Sequence, residues 1–319
     1  MALRIASIVL VLAAIVLGAS YYYRYDLYEA GIGLERERAQ LTEKQIEVNG
    51  MPIALLEGPE REGQQDVVLI HGFGANKDNW VRFAASLTND FHVVAPDLPG
   101  HGESVQDPAL DYDIDDQVKY LHAILQKLGI EQAHLAGNSM GGAVAALYSA
   151  TYPQEVRSLL LIDSAGVYEH QSELMKRLEA GQENPLIVSQ SNSFTDLMNF
   201  AMEKPPFVPW PVTTVLEEKA VARKAMNDQI FADLKGQHEY DFEQALTRIE
   251  APTVVLWGDQ DRVIHYKNAD VFAQKIPNSR KVIYQGIGHV PMIEAPERTA
   301  NLFRELADKA TTAQTAQRQ

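Results

Sequence analysis

Three residues far apart in the chain carry the side chains that acyl transfer needs: Ser139, Asp261 and His289. A serine hydroxyl is a weak nucleophile until a histidine takes its proton, and that histidine needs a carboxylate to fix its tautomer. Ser139 lies in Gly137-Asn138-Ser139-Met140-Gly141, the pattern G-x-S-x-G, with apolar residues before it and small ones after. A sharp strand-to-helix turn at such a site lifts the hydroxyl above the strand ends, and flanking glycines leave space where the chain crowds. The helix amino terminus that follows adds positive potential where an oxyanion forms. An ordinary tight turn would use the same five residues, so the motif takes its weight from its partners.

Those partners should follow in the order Ser, Asp or Glu, His, in loops beyond later strands. "TVVLWGDQDRV" and "KVIYQGIGHVP" end two such runs: Asp261 lies 122 residues after Ser139, and His289 lies 28 after Asp261. Asp259 competes for the acid role, but is better suited to capping its own loop through local backbone amides. Asp163, at the end of "SLLLID", is the other candidate acid. The oxyanion hole needs two backbone N–H groups. Met140 supplies one by position, and Phe73 in "HGFGANKDNW" is expected to supply the other. His71 and His101 read as structural residues.

The elements that must position these groups are short and alternate in type. Apolar β-branched runs at 67–72, 92–97, 133–137, 158–163, 253–259 and 281–286 fit strands buried on both faces. An antiparallel hairpin over 46–58 should turn at Asn49-Gly50. Asp113 caps a helix bearing the stripe Val118, Leu121, Leu125, Leu128 and ending at Gly129, and a second helix runs from Met140 to about Thr151. The alternation predicts an α/β fold with a doubly wound, mostly parallel sheet. It breaks over Gly166 to Glu250, 85 residues that read as helices around 172–180, 196–203, 212–235 and 241–249. A connection this long is usually functional, and a helical cap over one end of the sheet is expected.

Composition narrows the possibilities. The 319 residues include no cysteine, which removes disulfides and thiolate metal sites, and 46% are apolar, enough for a large core. The net charge of −15 falls entirely on residues 45–319, because residues 1–44 carry five basic and five acidic groups. An acidic body is repelled by phosphate backbones, so no nucleic-acid partner is expected. Ile5 to Tyr23 is 19 positions without a charge, about the thickness of a bilayer core. Tyr21, Tyr22 and Tyr23 suit the membrane–water interface. An uncleaved anchor is expected, with a cleaved signal peptide as the alternative. The organisation is then an anchor or signal segment (1–23), a charged connector (24–44), a first core part (45–165), a cap (166–250), a second core part (251–310) and a polar tail (311–319).

With these residues in place, the chain resembles the α/β-hydrolase superfamily from about Glu47 to Ala307. More narrowly it resembles Moraxella/Psychrobacter-type bacterial lipases and membrane-anchored monoacylglycerol lipases. The segments "HGFGANKDNW", "DLPGHGES", "GNSMGG", "DSAGV", "IEAPTVVLWGDQDRV" and "GHVPMIEAPE" carry the likeness. The resemblance implies Ser139 as nucleophile, Asp261 as acid, His289 as base, and oxyanion amides at Phe73 and Met140. It also implies a monomeric, cofactor-free and metal-free hydrolase of acyl glycerols or similar lipid esters. An inner-membrane anchor would leave the catalytic domain on the periplasmic side, and cleavage would give a secreted form. Phe207, Trp210 and Val290 are candidate substrate contacts. C–C bond hydrolases of meta-cleavage products share "GNSMGG", so they and thioester hydrolases are the alternative, and a non-catalytic scaffold is the remote one. The cap lacks an obvious arginine aligned for a dienoate carboxylate, Arg177 and Arg223 being the ones left to consider, and Val290-Pro291 follows His289 where those C–C hydrolases commonly have tryptophan.

Overall fold

The computed structural model describes residues 2–236 and 241–317. Two helices lead the chain, α1 (Ala2–Tyr22) and α2 (Arg24–Arg38). The apolar stretch of α1 from Arg4 to Tyr22 is long enough to cross a membrane and none of its apolar window is buried. A hairpin follows, β1 (Thr42–Val48) and β2 (Met51–Glu57). It turns at Asn49 and Gly50, whose φ values of 52° and 81° are those the tight hairpin turn requires.

Next come β3 (Asp66–Ile70), α3 (Val81–Ala84), β4 (His92–Pro96), α4 (Ile114–Leu128), β5 (Ala133–Asn138), α5 (Met140–Thr151) and β6 (Val156–Ile162). The segment after β6 holds α6 (Glu173–Glu179), α7 (Phe194–Ala201), α8 (Trp210–Ala222), α9 (Lys224–Asp233) and α10 (Phe242–Leu246). The chain then returns through β7 (Thr253–Gly258), α11 (Asn268–Lys275), β8 (Ser279–Tyr284), α12 (Pro291–Glu294) and α13 (Pro296–Gln317).

The eight strands form one sheet in the order β1-β2-β4-β3-β5-β6-β7-β8. Only the pairings of β2, with β1 and with β4, are antiparallel; the others are parallel. Successive side chains leave a strand on opposite faces, so the apolar runs feed two cores. Val68, Ile70, Leu135, Leu159 and Leu161 meet α4, α5 and α11 on one face. Val67, Leu69, Ala136, Leu160 and Ile162 meet Phe83 and Phe303, from α3 and α13, on the other. Asp113 accepts the Asp116 N–H to start α4, and Gly129, at φ 72°, ends it.

Two boundaries differ from the sequence reading, each for a non-local reason, and the polar tail begins inside the last helix. The charged connector is helical only to Arg38, and β1 begins at Thr42 because it pairs with β2 from Thr42↔Glu57 onward. As a mostly exposed edge strand, β1 needs no apolar pattern. The helix expected over 212–235 breaks at Arg223, which separates α8, packed on α2, from α9, which buries Asn227 and Ile230 against the core. The stretch from 311 continues α13 as far as Gln317, and residues 318–319 lie outside the described residues.

Candidate active site

Ser139 sits where β5 gives way to α5, with φ 55° and ψ −120°. A side chain held there is strained, and surrounding bonds must enforce it, at a cost of about 1–3 kcal/mol. The Ser139 N–H donates to the Ile162 carbonyl at 3.0 Å, while the Ser139 carbonyl accepts from Gly142, Ala143 and Ala165. The glycines beside it are fixed by contact rather than by flexibility. A Cβ on Gly137 would lie 2.1 Å from the Gly141 carbonyl oxygen, and one on Gly141 would lie 2.2 Å from that of Ile70. Gly141→Ala is therefore expected to cost more than about 3 kcal/mol, because the new Cβ would collide with the backbone carbonyl oxygens of Ile70 and His71. Urea unfolding measures this, and a variant with the parental midpoint would show that the turn is not packed this way.

His289 follows β8 and is buried. Its Nδ1 donates to Asp261 Oδ2 at 2.8 Å. Asp261 Oδ2 also accepts from the Trp257 indole at 3.2 Å, and its Oδ1 accepts the N–H groups of Val263 and Ile264 at 2.7 and 3.0 Å. A carboxylate held by four N–H donors is fixed in place and presents a formal charge to the imidazole. The histidine's main chain is tied to the serine turn through Asn138, whose side-chain amide donates to the carbonyls of His289 at 3.0 Å and Ile162 at 3.1 Å. The structure thus brings the β7 and β8 loops to the serine turn.

Asp259 stands apart from this pairing: its Oδ1 accepts the Gly286 N–H at 2.7 Å, which closes the loop after β8. Asp163 lies next to Asp261, within the same buried group. The ligand atoms of Asp163, Asp261 and His289 lie within 4.8 Å of one another, near enough to share one metal ion. His289 Nδ1 is already engaged as a donor to Asp261, and a cation there would have to break that bond.

Phe73 lies in the loop after β3, and Met140 opens α5. Neither backbone N–H has an intramolecular acceptor among the described residues. The loop holding Phe73 is pressed onto the serine, since a Cβ on Gly72 would lie 3.2 Å from Ser139 Cβ. His71 braces it: Nδ1 donates to the Gly72 carbonyl at 2.8 Å, and Nε2 accepts the Leu98 N–H at 3.0 Å. Burial holds this imidazole neutral by lowering its pKa from the ordinary value. His101 is buried beside it, with ring centroids 5.0 Å apart, and Nδ1 donates to the Pro99 carbonyl. The cap reaches the same loop through Phe231 of α9, 5.4 Å from the Phe73 ring.

The candidate substrate contacts are dispersed. Phe207 projects outward, 88% exposed, while Trp210 stacks on Tyr21 with centroids 5.9 Å apart. Val290 is buried with Met292 in the α13-side core. Three positioning groups escaped the sequence reading. Trp257 and Glu294 carry no motif that marks them, whereas Asn138, the variable position of G-x-S-x-G, lay in plain view. Glu294 accepts three N–H bonds, from Gly288, Glu203 and Lys204, and so ties the histidine loop to the start of the proline-rich cap segment.

Known proteins resemble this chain in sequence and in architecture. The alpha/beta hydrolase fold family matches residues 67–296. Lipase 3 of Moraxella sp. (strain TA144) is 34% identical over 281 residues, covering 87% of this chain and 88% of that protein. The human monoacylglycerol lipase ABHD6 is 31% identical over 247 residues, covering 74% and 73%. A crystal structure described as a membrane phospholipase A, a novel bacterial virulence factor, superimposes with a TM-score of 0.88 at 41% identity. It covers 97% of this chain and 99% of its own. A buried His–Asp pair, a strained serine turn and a family match spanning both together place this chain in the alpha/beta hydrolase fold family.

Proposed function

We propose that the chain is a membrane-held lipid ester hydrolase working through an acyl-enzyme on Ser139. Carboxylic ester hydrolysis agrees with relatives named lipase and monoacylglycerol lipase. The observation that carries the mechanism is the 2.8 Å bond from His289 Nδ1 to Asp261, on a loop tied by Asn138 to the serine turn. With Nδ1 occupied as a donor, Nε2 is the basic nitrogen.

His289 Nε2 takes the Ser139 proton as Oγ attacks the ester carbonyl. The Phe73 and Met140 N–H groups hold the oxyanion, and Asp261 stabilises the imidazolium. His289 then gives the proton to the departing alcohol. A water, deprotonated by the same nitrogen, attacks the acyl-enzyme and releases the fatty acid, and the proton returns to Ser139. Each step is a proton or acyl transfer, and none requires a metal or organic cofactor.

The lipid preference and the location rest on α1. Its exposed apolar face suits a bilayer, and Arg4 favours a cytoplasmic amino terminus, which puts the domain on the periplasmic side of a bacterial inner membrane. The helix that follows this anchor is held against the domain: in α2, Arg24 pairs with Glu218 at 3.2 Å, and the Tyr28 ring lies 4.2 Å below Lys219. Rates on monoolein and on a lysophospholipid in mixed micelles are expected to exceed the rate on p-nitrophenyl butyrate by at least about tenfold in kcat/KM. A clear preference for the soluble ester would overturn the lipid assignment while leaving ester hydrolysis intact.

A further inference from the structure

Two carboxyl groups meet at the ends of neighbouring strands β6 and β7, and the mechanism above uses one of them. Asp163 is fully buried and held at φ 47°, a left-handed conformation that aspartate tolerates better than most residues. Its N–H donates to the Leu256 carbonyl at 2.9 Å, which locks the main chain to β7. Oδ1 accepts the Gly258 N–H at 3.0 Å. Oδ2 is sealed from solvent and receives no N–H donor.

Donors are divided unequally between the two acids. Asp261 accepts four N–H bonds, from His289, Trp257, Val263 and Ile264, and Asp163 accepts one. Two buried carboxylates this close cannot both stay ionised cheaply, and the proton settles on the one with fewer donors. We propose that Asp163 is a protonated carboxylic acid whose hydroxyl donates to the Asp261 carboxylate, making Asp163 a positioning residue for the base. This rests on reading Asp261 and His289 as acid and base.

Burial first, and then the Asp261 charge, push the Asp163 carboxyl well above the usual carboxylate range, against the pull of the Gly258 N–H. The other charged or titratable groups facing it are His289, after β8, and Glu294, in α12. Both Glu294 oxygens are taken by backbone N–H groups, so the free Asp163 hydroxyl has the Asp261 carboxylate as its acceptor. The pair then carries a single negative charge. The Asp163 hydroxyl thereby holds the carboxylate that faces His289 in place.

Asp163→Asn keeps a donor for Asp261 and an acceptor for Gly258, whereas Asp163→Ala removes both. Without the donor, charge concentrates on the oxygen facing His289 and favours imidazolium. The acid limb of kcat/KM for p-nitrophenyl butyrate should therefore move to higher pH, by roughly half a unit or more, in the alanine variant. The asparagine variant should restore the parental limb. An infrared difference spectrum of parent minus Asp163→Asn at pH 7 should show the carbonyl stretch of a protonated carboxylic acid. That measurement needs no turnover, so it decides the protonation state even if the alanine variant fails to fold or the Ser139 mechanism fails. Absence of the band, or an asparagine variant displaced as far as the alanine one, would overturn the proposal.

Discussion

Replacing Ser139 with alanine is expected to lower kcat/KM for p-nitrophenyl butyrate by about 10⁵-fold or more while leaving the melting temperature nearly unchanged. The size follows from what is removed. The hydroxyl proposed to be activated by His289 is lost, and the remaining backbone N–H groups stabilise a charge that no longer forms. His289→Ala should cost a similar factor, and the double variant little more than either single one, because the two residues act as a unit. Structure should survive: the strained turn is held by backbone bonds from Ile162, Gly142, Ala143 and Ala165, none of which uses the serine side chain. A fluorophosphonate probe should label the parent and fail to label Ser139→Ala. Substantial turnover or labelling in that variant would remove the nucleophile from the mechanism, although the fold would stand.

Replacing Lys77 with methionine is expected to cost about 3–5 kcal/mol of stability. Lys77 follows the loop that carries Phe73, and its side chain is only 2% exposed. The ammonium reaches Asp97 at 2.9 Å, Glu43 at 2.9 Å and Glu103 at 3.1 Å, while the Lys77 backbone N–H holds Asp97 Oδ1 at 2.7 Å. Asp97 is wholly buried, so a methionine would strand its charge with only backbone donors for support. Burial works against the ammonium, but Asp97 and then Glu43 override it and raise the Lys77 pKa above its ordinary 10.5.

A raised lysine pKa gives stabilisation that is fully present below 10.5 and lost as pH rises through the folded-state value. The comparison therefore belongs at neutral pH. Urea unfolding there should show the loss, and Lys77→Met with Asp97→Asn should recover part of it, because the stranded charge is then gone. A single variant within about 1 kcal/mol of the parent would mean that the cluster is no more than a solvated surface network. The same cluster reaches α2: Arg36 makes paired bonds to Asp78 at 2.7 and 2.8 Å and a third to Glu43 at 2.8 Å. Helix α2 is thus fastened to the segment that follows Phe73.

Sequence by itself determined the order of elements, and for local reasons. Buried parallel strands write themselves as apolar runs such as "VVLIHG" and "TVVLWGD", while Asp113 and Gly129 mark the ends of α4 through their own backbone chemistry. The serine turn was equally legible, because Gly137 and Gly141 are demanded by contacts within a few residues and with the adjacent strand. Tertiary structure alone decided what depends on chain segments meeting in space. Asp259, Asp261 and Asp163 are the same residue type at strand ends, and only their donors separate a loop clasp, a held carboxylate and a buried acid. The break at Arg223 and the edge strand beginning at Thr42 likewise have no local signal, since each answers to a distant partner. Hydrogen bonding and burial act over a few ångströms whatever the separation along the chain, and that distance is set only when the sheet closes.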